Sequence, residues 1–209
     1  MRIAVFFAMF LVVGCATRPS KRPVQYFPDL STTYQVPKEW WEILGPETSV
    51  AIRERWYAAC LVVMEEPSLW ELRESGREMY RFLWLRSFHA PVAFRLEVRA
   101  DGSGTLTVRK NDHYDSKRLR DQTLPISKAQ VAGFVACLEG AHFWDLSWSE
   151  SPWLTGNDGS QWVYEGIKDK KYHLTDRWSP VLHAKAKDAY AEAGLYLIRL
   201  SGEANEELY

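Results

Sequence analysis

Cysteine is scarce in this chain, and neither sign of charge is in excess. The three cysteines, Cys15, Cys60 and Cys137, lie far apart in the 209 residues, so no Cys-x-x-Cys metal or redox motif is present. The 26 basic residues are balanced by 27 acidic residues and form no basic stripe. Because nucleic-acid-binding proteins usually carry a basic excess or a basic face, we expect no nucleic-acid partner.

The common metal, catalytic and cofactor motifs are also absent. No two of the five histidines are four residues apart, and there is no His-Glu-x-x-His motif, so we expect no metal ion. Gly-x-Ser-x-Gly and phosphate-binding Gly-x-x-x-x-Gly-Lys motifs are missing, and we expect no cofactor. The nearest approach to an acid–base set is Glu165, His173 and Asp176, provided that Glu165 and His173 lie on neighbouring strands. Such a pair is also a common structural contact on a solvated sheet face.

The apolar run at the N-terminus is too short for a permanent membrane span. Residues 3–13 are all apolar and would rise only about 16 Å as a helix, roughly half of the hydrocarbon core of a bilayer. Arg2 precedes this run and Gly14-Cys15 follows it, which is the layout of a signal peptide. The sequence therefore predicts that residues 1–14 are a signal peptide that is removed.

The end of this run, Val12-Val13-Gly14-Cys15, resembles the lipobox of bacterial lipoproteins, although Val12 stands where that family most often has Leu. The resemblance implies cleavage before Cys15 and attachment of acyl chains to it, and several acyl chains hold a protein firmly to a membrane. Ala16 is not the Asp that favours retention at the inner membrane in this family. The resemblance therefore implies an outer-membrane location facing the periplasm, with the membrane as a partner through the lipid anchor.

Two strings in the rest of the chain are similar to those of uncharacterised lipoproteins from Gram-negative bacteria. They are residues 80–86, Tyr-Arg-Phe-Leu-Trp-Leu-Arg, and residues 176–180, Asp-Arg-Trp-Ser-Pro. The resemblance extends over most of the mature domain. It implies the same location and no particular activity.

The mature chain divides into a tether and one domain. Residues 15–37 contain four of the ten prolines among small and basic residues, which predicts a stiff, extended tether that begins at the lipidated cysteine. Residues 38–209 are the predicted globular domain.

The pattern of the domain predicts an α+β fold of antiparallel β-hairpins packed with three main helices. A helix over residues 46–64 is expected to bury Ile52, Trp56, Cys60 and Val63. Ser127 and Gln130 form a capping box for a second helix that ends near Gly140. The third helix begins at Pro180, is rich in alanine over residues 184–193, and ends at Gly202. Strands are predicted at residues 80–86, 92–98, 105–109, 161–167 and 172–178.

A long aromatic loop and the last strand carry the candidate binding residues. The loop over residues 143–159 has Trp144, Trp148 and Trp153 among acidic and amide side chains, although the rings would equally well cap the core. On the last strand, Leu174 is expected to face inward, which would leave His173, Thr175 and Arg177 facing outward beside the loop. The predicted binding residues are Trp148, Trp153, His173 and Arg177.

These observations favour a lipid-anchored, non-enzymatic binding or accessory module that recognises an envelope protein or glycan. Two alternatives stay open: a periplasmic hydrolase that uses Glu165, His173 and Asp176, and a lipoprotein inhibitor or immunity factor whose hairpins block an enzyme.

Cys60 and Cys137 form the one candidate disulfide pair once Cys15 is acylated. Because both are predicted on apolar helix faces, where free cysteine behaves as a small hydrophobe, we expect no bridge.

Overall fold

The computed structural model describes residues 23–30, 48–112, 115, 117–149, 158–183, 188–203 and 207–208. The predicted signal peptide, Cys15, most of the predicted tether and Trp153 lie outside the described residues.

In the part of the chain that the structure describes, six antiparallel strands form one sheet. In chain order they are β1 (Glu78–Arg86), β2 (His89–Val98), β3 (Gly104–Asn111), β4 (Arg118–Ile126), β5 (Ser160–Lys168) and β6 (Lys171–Trp178). Their order across the sheet is β4-β3-β2-β1-β5-β6. The helices are α1 (Thr48–Val63), α2 (Leu69–Leu72), α3 (Lys128–Gly140), α4 (Pro180–His183) and α5 (Ala189–Ser201), with 3-10 turns at Arg73–Ser75 and Phe143–Asp145. The fold is α+β in a single compact domain, as the sequence predicted.

Helices α3 and α5 cover one face of the sheet. On β1, Tyr80, Phe82 and Trp84 alternate onto this face and are buried in an aromatic core. The ring of Phe82 stacks on Phe94 of β2, with 5.4 Å between ring centroids. The predicted capping box is present, because Ser127 and Gln130 each bond the other's backbone at the start of α3. This face holds the larger part of the apolar core.

Helix α1 and residues 23–30 cover the opposite face. Leu83 of β1 and Val163 of β5 pack there against Tyr57 and Leu61 of α1. Phe27 is only 1% exposed, and Tyr26 and Leu30 are buried with it. The predicted tether over residues 15–37 is therefore wrong for its described part, since three apolar side chains anchor residues 23–30 to the core.

The buried face of α1 also differs from the predicted one. Trp56 and Val63 are exposed, whereas Val50, Tyr57, Leu61 and Met64 are buried. The prediction failed because the buried face contains a charged side chain, Arg53, which an apolar pattern does not select.

Within the described residues, no helix combines the length and the apolar character needed to cross a bilayer. Cys60 and Cys137 are free thiols. Both are half-buried: Cys60 on α1 packs against the core of one face of the sheet, and Cys137 on α3 packs against the core of the other face. The sheet therefore lies between the two cysteines of the predicted candidate pair.

Candidate binding cleft at the turn between β5 and β6

The turn between β5 and β6 forms one wall of a cleft. Lys168 and Lys171 pair across the hairpin, and the two residues between them, Asp169 and Lys170, have positive φ angles of 51° and 60°. Two consecutive residues in this conformation match the right-handed twist of the strands, which makes the hairpin tight. The charged side chains of the turn are thereby held at the end of the sheet.

The 3-10 turn Phe143–Asp145 forms the other wall. Phe143 is buried and meets the ring of His173 edge-on, with 4.9 Å between ring centroids. Gly166 on β5 allows this approach, because a Cβ there would lie 2.8 Å from Cε1 of Phe143. Trp144 follows and packs beside Tyr80 and His173 at centroid distances of 6.5 and 6.1 Å. A buried phenylalanine therefore places the tryptophan at the edge of the cleft.

Between these walls lies a cleft of about 560 Å³. It is lined by Trp144, Asp145, Lys168, Asp169, Lys171, Tyr172 and His173. The phenol of Tyr172 itself points to the opposite face of the sheet, where its hydroxyl donates to Glu165. The volume lies within the range of small-molecule sites, although their lining is usually more apolar than this one. The lining is suited to a ligand that carries apolar faces and both signs of charge.

His173 is the cleft residue whose side chain carries an unusual electrostatic environment into the α3 face. Burial lowers the pKa of its imidazole, and hydrogen bonds with the backbone of Leu146 and Phe143 oppose this shift only in part. The neutral form of the ring is therefore favoured. Its Nε2 atom is buried and has no hydrogen-bond partner among the described residues. A donor group that reached this atom would satisfy a polar atom that the fold leaves without a hydrogen bond.

The opposite face of the sheet contains a buried ionic cluster with a structural role. Nε of Arg81 donates to Glu165 at 2.7 Å, and the hydroxyl of Tyr172 donates to the same carboxylate at 2.9 Å. Glu66 accepts from Nε of Arg95 at 2.8 Å. Burial raises the pKa of Glu165, and the neighbouring Arg81 opposes this shift. These contacts tie β1, β2, β5 and β6 to the segment that follows α1.

A second buried carboxylate attaches α1 to β6. Asp176 accepts hydrogen bonds from Nη1 of Arg53 at 3.1 Å and from the hydroxyl of Tyr57 at 2.8 Å. Burial raises the pKa of Asp176 to about 6, although Arg53 and Tyr57 both favour the ionised form. Its second oxygen, Oδ1, is buried and has no hydrogen-bond partner among the described residues.

The predicted acid–base set does not assemble. In the register of β5 and β6, Glu165 lies opposite Leu174, and His173 lies opposite Gly166. Glu165 and Asp176 point to the α1 face, while His173 points to the face covered by α3. The hydrolase hypothesis on these three residues is therefore wrong about their geometry. Glu165 and His173 would share a face only if the register of β5 and β6 were shifted by one residue.

The four predicted binding residues have different positions. His173 lines the cleft, whereas Trp148 packs against the core on the α1 face, and Trp153 lies outside the described residues. Arg177 is only 7% exposed, and its Nη1 donates to the carbonyl oxygens of Ser147 and Asp176 at 3.2 and 2.8 Å.

The prediction that Thr175 and Arg177 face outward is wrong, because both faces of β6 are covered. Thr175 is buried and bonds the hydroxyl of Tyr190 on α5 at 3.1 Å. The loop also covers the edge of the strand, where the backbone N–H of Asp176 donates to the carbonyl of Trp148 at 2.7 Å and Ser149 forms a bridge with Asp176.

Sequence reasoning missed most of the cleft. It placed Trp144 in the aromatic loop and left residues 168–171 between two predicted strands, but nothing in the pattern indicated that the two segments face each other. The available signal was the charge alternation of Lys168-Asp169-Lys170-Lys171 at a tight turn, next to a strand that carries His173.

Among the residues that the structure describes, no three His, Cys, Asp or Glu side chains lie together in a way that could hold a metal ion. No protein-family model matches this chain, and no curated protein matches it either.

Proposed function

We propose that the protein is a lipid-anchored envelope lipoprotein whose cleft binds a polar segment of the cell wall. The observation that carries the proposal is the lining of the cleft, where an indole ring stands beside two carboxylates and two ammonium groups. The anchor rests on the resemblance of residues 12–15 to a lipobox, and the location facing the periplasm rests on Ala16.

The chemistry of a wall fragment matches this lining. Its sugar rings have apolar faces that stack on an indole, and its stem peptides carry carboxylates and a free amine. The carboxylates would meet Lys168 and Lys171, and the amine would meet Asp145 and Asp169. Lys168 also pairs with Glu78, whose Oε1 lies 3.3 Å from its Nζ, so a ligand carboxylate would share this ammonium group.

The geometry of the acid–base set favours a binding role without catalysis. The acid–base set considered for a hydrolase is divided between the two faces of the sheet, and Glu165 is occupied by Arg81 and Tyr172. The inhibitor or immunity role stays a prediction.

A titration followed by NMR tests the proposal. The chain from residue 15 onward, with Cys15→Ser to prevent acylation, keeps every described contact because all of them lie at residue 23 or later. We expect the disaccharide tetrapeptide of the bacterial wall to shift the indole N–H signal of Trp144 and the backbone amides of residues 168–173. Shifts confined to other regions, or no binding at millimolar ligand, would contradict the proposal.

Matched variants sharpen this test. Asp145 and Lys171 are exposed side chains of the cleft, and Lys117 is an exposed lysine at the opposite end of the sheet. We expect Asp145→Ala and Lys171→Ala each to weaken binding about fivefold, which corresponds to roughly 1 kcal/mol. Lys117→Ala is expected to leave binding unchanged. Equal affinities for all three variants would show that the cleft charges do not recognise the ligand.

A further inference from the structure

The outward face of α1 carries an exposed apolar patch. Trp56, Val62 and Val63 are 40%, 56% and 39% exposed, and Ala59 between them is exposed as well. The spacing of three to four residues places them on one side of the helix. Helix α1 is thus apolar on two sides, because its inward side contributes Tyr57 and Leu61 to the core. A clustered apolar patch of this kind marks an interaction surface, whereas single exposed apolar residues need no explanation.

The chain that leads from the predicted anchor reaches the domain on the same side. Residues 23–30 pack beside α1, where Phe27 meets the ring of Tyr57 at a centroid distance of 6.4 Å and the hydroxyl of Tyr26 donates to the carbonyl of Glu66 at 2.9 Å. Cys15 lies eight residues before Pro23. Eight fully extended residues span at most about 28 Å. A lipid on Cys15 would therefore hold the α1 side of the domain within that distance of the bilayer.

We propose that the outward face of α1 docks on the surface of the bilayer in which Cys15 is anchored. The inference rests on the proposed lipid anchor. Tryptophan rings are enriched at the level of the lipid headgroups, and two valines on the same helical face suit shallow insertion beside Trp56. Arg55 is exposed on this helix, and Arg18, Lys21 and Arg22 follow Cys15 in the sequence. Basic groups at the membrane surface are attracted by anionic headgroups.

The short connection is the reason for preferring the bilayer to a second copy of the chain. It keeps the apolar face beside the membrane at high effective concentration, so even a weak affinity keeps the face occupied. Docking also gives the domain an orientation. Trp144 and His173 lie on the face of the sheet opposite to α1, so the cleft would open away from the membrane and toward the wall.

Vesicle binding by the lipid-free chain tests the docking surface apart from the anchor. The chain from residue 15 with Cys15→Ser is mixed with vesicles of phosphatidylethanolamine and phosphatidylglycerol. We expect Trp56→Ser with Val62→Ser to reduce the bound fraction about fivefold or more. Phe88→Ser with Leu119→Ser is the matched control, since both side chains are exposed apolar residues elsewhere, and it is expected to bind like the parent. Equal loss in both double variants would overturn the proposal.

A second measurement uses the lipidated protein, in which tethering compensates for weak affinity. The full chain is reconstituted into vesicles with brominated acyl chains, and the fluorescence of Trp56 is taken as the difference between the parent and Trp56→Phe. We expect the bromines to quench this difference signal. Absence of quenching, or a dimer that Trp56→Ser dissociates in sedimentation, would overturn docking on the bilayer. Failure of acyl labelling at Cys15 would instead contradict the anchor itself.

Discussion

Several buried positions in this protein hold charged side chains, where a sequence pattern would predict apolar ones. Arg81 is fully buried between the carboxylates of Glu66 and Glu165, and Asp176 is fully buried beneath α1. Burying ions costs several kcal/mol each, which close partners and hydrogen bonds offset. The fold therefore depends on complete sets of partners at these positions more than on any one contact.

Arg81→Met provides a test of this dependence. Methionine fills a similar volume but leaves Glu165 buried without its guanidinium partner, so we expect the free energy of unfolding to fall by about 3 to 5 kcal/mol. Arg77→Met is the control, because Arg77 is half-exposed in its ion pair with Glu97 and such surface pairs contribute under about 1 kcal/mol. Chemical denaturation of both variants measures the difference. Similar small losses would show that the buried pair is not required.

Asp176 gives the stability of the fold a dependence on pH. Its pKa is raised from 3.8 to about 6 in the folded protein, so the folded state holds the proton more tightly than the unfolded chain does. The stability that Asp176 contributes is therefore fully present below about pH 4 and is lost as the pH rises through about 6. We expect the stability of the parent relative to Asp176→Asn to fall by about 2 to 3 kcal/mol over this range. Denaturation curves at successive pH values measure it, and a relative stability that is constant or rises with pH would contradict the prediction.

At the scale of elements, the approach of α5 to the sheet sets the packing of the aromatic face. A Cβ at Gly194 would lie closer than van der Waals contact to Trp162 and to the hydroxyl of Tyr164. Ala193, at the end of the alanine-rich stretch noted in the sequence, lies beside Gly194 and is fully buried. Small residues on α5 therefore determine how near the helix lies to β5.

Gly194→Ala is expected to destabilise the fold by about 1 to 3 kcal/mol, because overpacking outweighs the better helix propensity of alanine. Gly140→Ala is the matched control, since a Cβ there would lie 3.5 Å from Cβ of Ala189, an ordinary contact. Thermal unfolding of both variants measures the difference in their stability. A stabilised Gly194→Ala variant would mean that α5 can move away from the sheet without cost.

Elements with a clear period or cap were predictable, and elements with mixed patterns were not. The hairpin of β5 and β6, the capping box of α3 and the end of α5 at Gly202 are confirmed. Strand β4 was missed because it is an edge strand whose exposed and half-exposed residues alternate, with few apolar side chains to mark it. The buried side of α1 was assigned wrongly because Arg53 and Tyr57 form its contact with Asp176.

At the scale of the whole molecule, the two faces of the sheet have different proposed roles. The α1 face lies next to residues 23–30, which connect toward Cys15, and the opposite face holds Trp144 and His173 of the cleft. None of this division could be predicted from the sequence, because it depends on which segments pack on each side of β1. Of the predicted binding residues that the structure describes, His173 alone lines the cleft.

Photocrosslinking in living cells tests wall binding by the cleft, because it uses the full chain with its predicted anchor. A photoreactive amino acid replaces Asp169 at the rim of the cleft or, as a control, the exposed Lys117 at the far end of the sheet. Both variants are irradiated, and wall polymer is purified and probed for the protein. We expect the chain to crosslink to the wall from position 169 and not from position 117. Equal crosslinking from both positions, or none from position 169, would contradict it.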